Sequence, residues 1–85
     1  MQLIQTTHFK RDYKNLPPPI QKRTDEKLKL LVQNIFHPSL RVKRVRKYKG
    51  VFEGSITEDY RFLFQITTKG YILLRAGKHD ILEKG

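Results

Sequence analysis

Eighty-five residues with a formal net charge of +10 leave room for one compact domain and exclude a second. A hydrophobic fraction of 38%, with five Phe and four Tyr, supplies a core and argues against wholesale disorder. The absence of Cys excludes disulfides, thiolate nucleophiles and cysteine-based zinc sites, and fits a reducing cytosol. The opening Met1-Gln2-Leu3-Ile4-Gln5 is too short and polar for a secretory signal, and no apolar run approaches the roughly 18 residues of a bilayer span. A soluble cytoplasmic protein with no membrane association is expected.

In chain order, residues 1–6 read as an edge strand or a frayed terminus, with Leu3 and Ile4 as their strong apolar pair. Residues 8–16 carry Phe9, Tyr13 and Leu16 at i, i+4 and i+7, one face of a short helix. Pro17-Pro18-Pro19 stops it, because proline lacks an amide donor, yet proline is tolerated at the start of a second helix. That helix is expected over residues 18–35, with Ile20, Leu28, Leu31 and Ile35 as its apolar stripe and Lys22, Lys29 and Gln33 facing water.

Residues 41–49 then gather six basic side chains, Arg41, Lys43, Arg44, Arg46, Lys47 and Lys49, around Tyr48 with no acidic residue among them. This is a phosphate-binding composition, and a pI near 10.2 calls for a polyanionic partner. A solvated basic loop or a charged edge strand has the same composition.

Beyond it the period changes to two. Tyr60, Phe62, Phe64 and Ile66 fall on one face of a strand and Arg61, Leu63 and Gln65 on the other. Turn residues on either side make 51–56 and 71–76 antiparallel neighbours. The expectation is an α+β fold: one domain over residues 1–85, an N-terminal strand and helical hairpin packed on one face of a small antiparallel sheet of three or four strands. The opposite face, carrying Arg61, is left as a working surface.

Three histidines invite a metal, but His8, His37 and His79 lie on different elements without HxxxH spacing, so no metal site and no cofactor are expected. Ser39 and Ser55 lack the surroundings of a nucleophilic serine. What remains is a cluster set by the sheet. An antiparallel last strand brings Arg75, Lys78, His79 and Asp80 beside Arg61. Arginine near histidine on a basic surface suits RNA cleavage by internal attack, in which a guanidinium holds phosphoryl oxygens and an imidazole hands a proton to the leaving oxygen. The ordinary alternatives stay open: an ion pair of Arg61 with Glu53 or Glu58, and a polar residue ending a strand for His79.

Asn15-Leu16-Pro17, His37-Pro38-Ser39-Leu40, the run Tyr60-Arg61-Phe62-Leu63-Phe64 and the ending Leu73-Leu74-Arg75-Ala76-Gly77-Lys78-His79-Asp80 follow one another in an order and spacing that resemble the RelE/ParE superfamily of toxin-antitoxin toxins. The resemblance covers nearly the whole chain and implies an endoribonuclease that cuts mRNA at the ribosome, is free of cofactors and is silenced by a cognate antitoxin. It implies that Arg61 stabilises phosphoryl charge and that His79 is the general acid. Glu53 and Asp80 are the candidates for general base. Lys43, Arg44, Arg46, Lys47, Lys49, Arg75 and Lys78 are the RNA-binding candidates. The sequence departs from members with paired lysines on the preceding strand, where it has Phe52 and Gly54, and from those with an aromatic residue after the histidine. A ParE-like inhibitor of gyrase and a non-catalytic RNA-binding module are the rival readings of the same scaffold.

Overall fold

In the computed structural model, which describes residues 2–84, the elements are β1 (Gln2–Gln5), α1 (Thr7–Asn15), α2 (Pro18–Gln33), a single 3-10 turn (Pro38–Leu40), β2 (Lys43–Arg44), β3 (Val51–Ser55), β4 (Tyr60–Ile66), β5 (Gly70–Lys78) and α3 (His79–Lys84). The helical hairpin forms where the apolar spacing puts it. Thr6 caps α1, its hydroxyl accepting from the Phe9 amide at 3.2 Å and donating to the Leu73 carbonyl at 2.8 Å, so the cap also ties the helix to the sheet. Pro18 and Pro19 occupy the first positions of α2, where no amide donor is needed. Phe9, Leu16, Leu28 and Leu31 are buried and Ile20 and Ile35 partly so, while Lys22, Lys29 and Gln33 face water as expected. Thr24 is fully buried within α2, its hydroxyl satisfied by the Ile20 carbonyl at 2.8 Å.

The sheet has five strands in the order β1-β5-β4-β3-β2. Two expectations need correction here. The strand count exceeds three or four, and the sheet is mixed, because β1 runs parallel to β5 with Leu3 opposite Tyr71 and Ile4 opposite Ile72. A segment of four residues with one apolar pair is too short to declare its partner, and only the tertiary contact settles it. Met1 lies outside the described residues. At the far edge β2 supplies two residues of the basic run, Lys43 opposite Glu53 and Arg44 opposite Phe52.

Under the helices, Phe52, Phe62, Phe64 and Tyr71 form a continuous aromatic layer, with Phe64 stacked on Phe52 at 5.8 Å and on Phe62 at 5.5 Å and meeting Tyr71 edge-on at 5.7 Å. Gly54 makes room for this layer. A Cβ there would overlap the Phe62 ring, which is itself fully buried and has nowhere to go. Gly54→Ala is therefore expected to lower stability by about 1–3 kcal/mol, read as a fall in the thermal unfolding midpoint. An unchanged midpoint would mean that the aromatic layer is looser than the packing implies.

Between β4 and β5 the register slips: Leu63 faces Arg75 but Phe64 faces Leu73, so Leu74 has no opposite number. The bulge lets Leu73 and Ala76 both reach the core although they are three residues apart. The working face is also less bare than expected. The chain turns at His79 into α3, which packs Leu82 against Val51 and Leu63 in a second, smaller cluster, with Val45 and Leu74 at its margin. No helix among the described residues is long and apolar enough to cross a membrane.

Candidate functional site

On the face away from α1 and α2, the alternation of β3 and β4 sets Glu53 opposite Leu63 and Ser55 opposite Arg61, and β5 adds Arg75 opposite Leu63 and Gly77 opposite Arg61. Leu63 and Leu82 form the floor shared by two adjoining hollows of about 550 and 710 Å3. Lys47 and Tyr48 belong to both, Lys49 and Gln65 line the first, and Lys43, Arg44, Arg46 and Glu53 line the second. The result is one groove with an apolar floor and a basic wall supplied by residues 43–49. Tyr48 stands in that wall 38% exposed, with the Lys47 ammonium 5.6 Å from its ring centre.

Arg61 sits at one end of this face and is tightly held. Its Nε lies 3.5 Å from Glu53 Oε1, and its Nη1 donates to the carbonyls of Thr57, Glu58 and Tyr60. Of the two acidic partners weighed from the sequence, Glu53 supplies the carboxylate and Glu58 only its main-chain oxygen. Glu53 is almost wholly buried and also lies 3.7 Å from the Lys43 ammonium, so two cations share it. Among the described residues no hydrogen bond or ion pair engages Nη2 of Arg61. That edge of the guanidinium is the one left to meet an anion.

His79 is anchored on the same turn. Its amide donates to the Asp59 carbonyl at 3.0 Å, two residues past Gly77, the strand partner of Arg61. Four consecutive carbonyls, of Thr57, Glu58, Asp59 and Tyr60, thus fix the Arg61 side chain and the His79 backbone together. The His79 ring is half-buried with Nδ1 shielded from solvent. Asp80, in the first turn of α3, and Lys78 beside it are exposed.

Arg75 does not join this cluster as the sequence suggested, although it lines the groove. Its Nε and Nη2 donate to the two oxygens of Asp12 on α1 at 2.7 and 3.3 Å, and Asp12 also accepts from the Ala76 amide at 3.0 Å. The hydrogen bonds that Arg75 donates to Asp12 raise the pKa of the guanidinium further, outweighing the opposing cost of desolvation. Asp12 was missed in the sequence, yet it lies one position before Tyr13 on the helix face of Phe9 and Leu16, where a buried edge is expected to need a polar partner. Leu82 is absent from the expected site residues because the last strand is expected over residues 71–76 with no helix after it, whereas β5 runs on to Lys78 and α3 follows directly. The other two histidines are apart from the groove: His8 is exposed on α1, and His37 caps the 3-10 turn, its Nδ1 accepting from the Ser39 amide at 3.2 Å.

No family model matches the sequence, and no curated protein matches it. Solved structures match it in fold. In the DinJ-YafQ complex of E. coli the matching chain is 17% identical and superposes with a TM-score of 0.76, covering 95% of this chain and 96% of that one. The RelB-RelE antitoxin-toxin complex of Methanococcus jannaschii gives 17% identity and a TM-score of 0.75 over 95% of each chain. The YoeB/ParE toxin of Agrobacterium tumefaciens gives 15% and 0.78 over 93% of this chain and 99% of that one. Two helices against a five-stranded, mostly antiparallel sheet is the α+β fold of these toxins, and this chain has it along almost its full length.

Proposed function

We propose, from a fold shared with RelE-type toxins, that this chain is the toxin of a toxin-antitoxin pair and cleaves mRNA at the ribosome. The observation that carries the catalytic part is the turn at residues 57–60, which fastens Arg61 and His79 to one frame on a basic, grooved face. Such a frame suits a reaction whose chemistry is mostly positioning and charge stabilisation. The 2′-oxygen forms a bond to phosphorus, the bond to the 5′-oxygen breaks, and a cyclic phosphate and a 5′-hydroxyl result. Arg61 meets the phosphoryl oxygens through Nη2, and His79 gives the departing 5′-oxygen its proton.

Glu53 serves in this reading as a positioning residue: buried between Lys43 and Arg61, it is their counter-ion and it aims the guanidinium. That leaves Asp80, exposed in the first turn of α3, as the candidate to accept the 2′-hydroxyl proton. No residue of this scheme calls for a metal or cofactor. Lys43, Arg44, Arg46, Lys47, Lys49 and Lys78 bind the RNA backbone, and Arg75, tied to Asp12, contributes a fixed charge at the groove wall. A cognate antitoxin is the expected partner, as the YafQ and RelE neighbours were solved with DinJ and RelB.

A second reading has its own support. An arginine whose Nη1 is saturated by carbonyls and whose Nε faces a carboxylate is also what a purely structural arginine looks like, and a gyrase inhibitor on this scaffold needs no catalytic group. Primer extension on mRNA in a purified translation system, with and without ribosomes, separates the two when run beside a gyrase supercoiling assay. Cleavage that needs ribosomes supports the nuclease, and blocked supercoiling without cleavage overturns it.

The basic wall has a separate test. Neutralising pairs among Lys43, Arg44, Arg46, Lys47 and Lys49 is expected to weaken RNA binding regardless of sequence and to flatten its salt dependence by roughly 0.7 in slope for each phosphate no longer neutralised. Cut positions stay where they were. An unchanged slope would reduce this wall to a solvated edge.

A further inference from the structure

A second concentration of positive charge lies outside the groove. Arg23 and Lys27, one helical turn apart on α2, and Arg41, just after the 3-10 turn, line a shallow hollow of about 430 Å3 with Ser39, Ser55, Ile56, Thr57 and Glu58. Among the described residues neither arginine has an ion-pair partner, and Lys27 makes one hydrogen bond, to the Ser39 carbonyl at 3.1 Å. Like charges so close repel one another. The pKa of Lys27 falls below its ordinary value, first because it is partly desolvated and then because Arg23 and Arg41 face it, with Glu26 offsetting only part of this.

The backbone adds to the cost. Arg41 is held left-handed at φ 47° and ψ 47°, the one residue other than glycine with positive φ among those described. Conformations of that kind are disfavoured in residues with a side chain and gather at functional sites. A fold that crowds three cations and strains one of them into place gains most from an anion lying between them.

We propose that Arg23, Lys27 and Arg41 form a second phosphate-binding site, separate from the groove, that grips neighbouring backbone phosphates of RNA. Three cations against the one Glu58 carboxylate in the same lining still exceed the single charge of one phosphodiester, so the site suits two adjacent ones. Arg41 lies two residues before Lys43, the first residue of β2, so positive charge continues along the chain from this hollow into the groove wall. An RNA longer than the segment being cut is therefore the fitting ligand. The proposal rests on the RNA-binding part of the function above and not on the chemistry.

The test uses the full chain and a fluorescent 20-nucleotide RNA whose 2′-O-methyl sugars cannot be cleaved, so a failure of the nuclease reading leaves binding measurable. Arg23→Gln with Arg41→Gln is expected to weaken binding about tenfold at moderate salt and to lower the salt slope by roughly 1.4, two phosphates at about 0.7 each. Arg23→Lys with Arg41→Lys restores most of both, and the thermal midpoint of the Gln pair holds or rises as repulsion is relieved. An unchanged slope in the folded Gln variant overturns the site, as does a parent protein that does not bind the probe. Weakened binding of poly-glutamate with RNA binding untouched would reassign the hollow to an acidic protein and overturn the proposal as well.

Discussion

His79→Ala is expected to slow cleavage by about 10²- to 10⁴-fold, the range for loss of a positioned general acid. A general acid must carry its proton before the step, so the parent's single-turnover rate falls once the pH is high enough to remove that proton. The variant loses that alkaline fall together with the rate. The backbone amide of His79 donates to the Asp59 carbonyl, a bond that alanine keeps, so the fold should survive the change. A structural histidine behaves in the opposite way, with a lowered thermal midpoint and an unaltered profile. Normal cleavage with a normal profile would shift the balance to the gyrase reading.

Arg61→Ala is expected to remove about 3 kcal/mol of transition-state stabilisation, on the order of a hundredfold in rate. It carries a second cost, which comes from the ion pair with Glu53. The alanine variant leaves the buried Glu53 carboxylate with Lys43 alone, at 3.7 Å, and takes the guanidinium away from the Glu58 carbonyl, while the Thr57 and Tyr60 carbonyls keep other donors, so stability falls by about 1–3 kcal/mol as well. Arg61→Lys separates the two effects. It keeps a cation near Glu53 and should recover much of the stability, but without a planar fork it recovers little of the rate. Parent-level cleavage by a folded Arg61→Ala protein would end the catalytic assignment.

Periodicity made most of this architecture legible. The helix stripes of Phe9, Tyr13 and Leu16 and of Leu28 and Leu31, and the alternation along residues 60–66, are local signals, and the corresponding faces are buried or partly buried where those signals place them except at Ile66, which is exposed at the end of β4. The partner of β1 and the bulge at Leu74 were not legible, since both depend on which strand lies alongside. Arg61 shows the same limit within the site. Its strand face could be read from alternation, but a side chain's choice among a carboxylate and three carbonyls depends on how a turn closes. The crowding of Arg23, Lys27 and Arg41 is likewise invisible in a linear chain that spreads them over two elements.

The parallel pairing of β1 with β5 joins Gln2–Gln5 to residues some seventy positions later in the chain. Closing so large a loop is entropically expensive, and contacts of this separation form late. The hairpin of β3 and β4 and the helix pair can gather from local contacts, whereas the Thr6 cap, through its bond to the Leu73 carbonyl, must wait for β5. During folding β1 therefore has no strand to pair with until β5 is in place. His79, which follows β5 directly, reaches its anchor on the Asp59 carbonyl only at that same late moment. Assembly of the candidate site is thereby coupled to the pairing of β5.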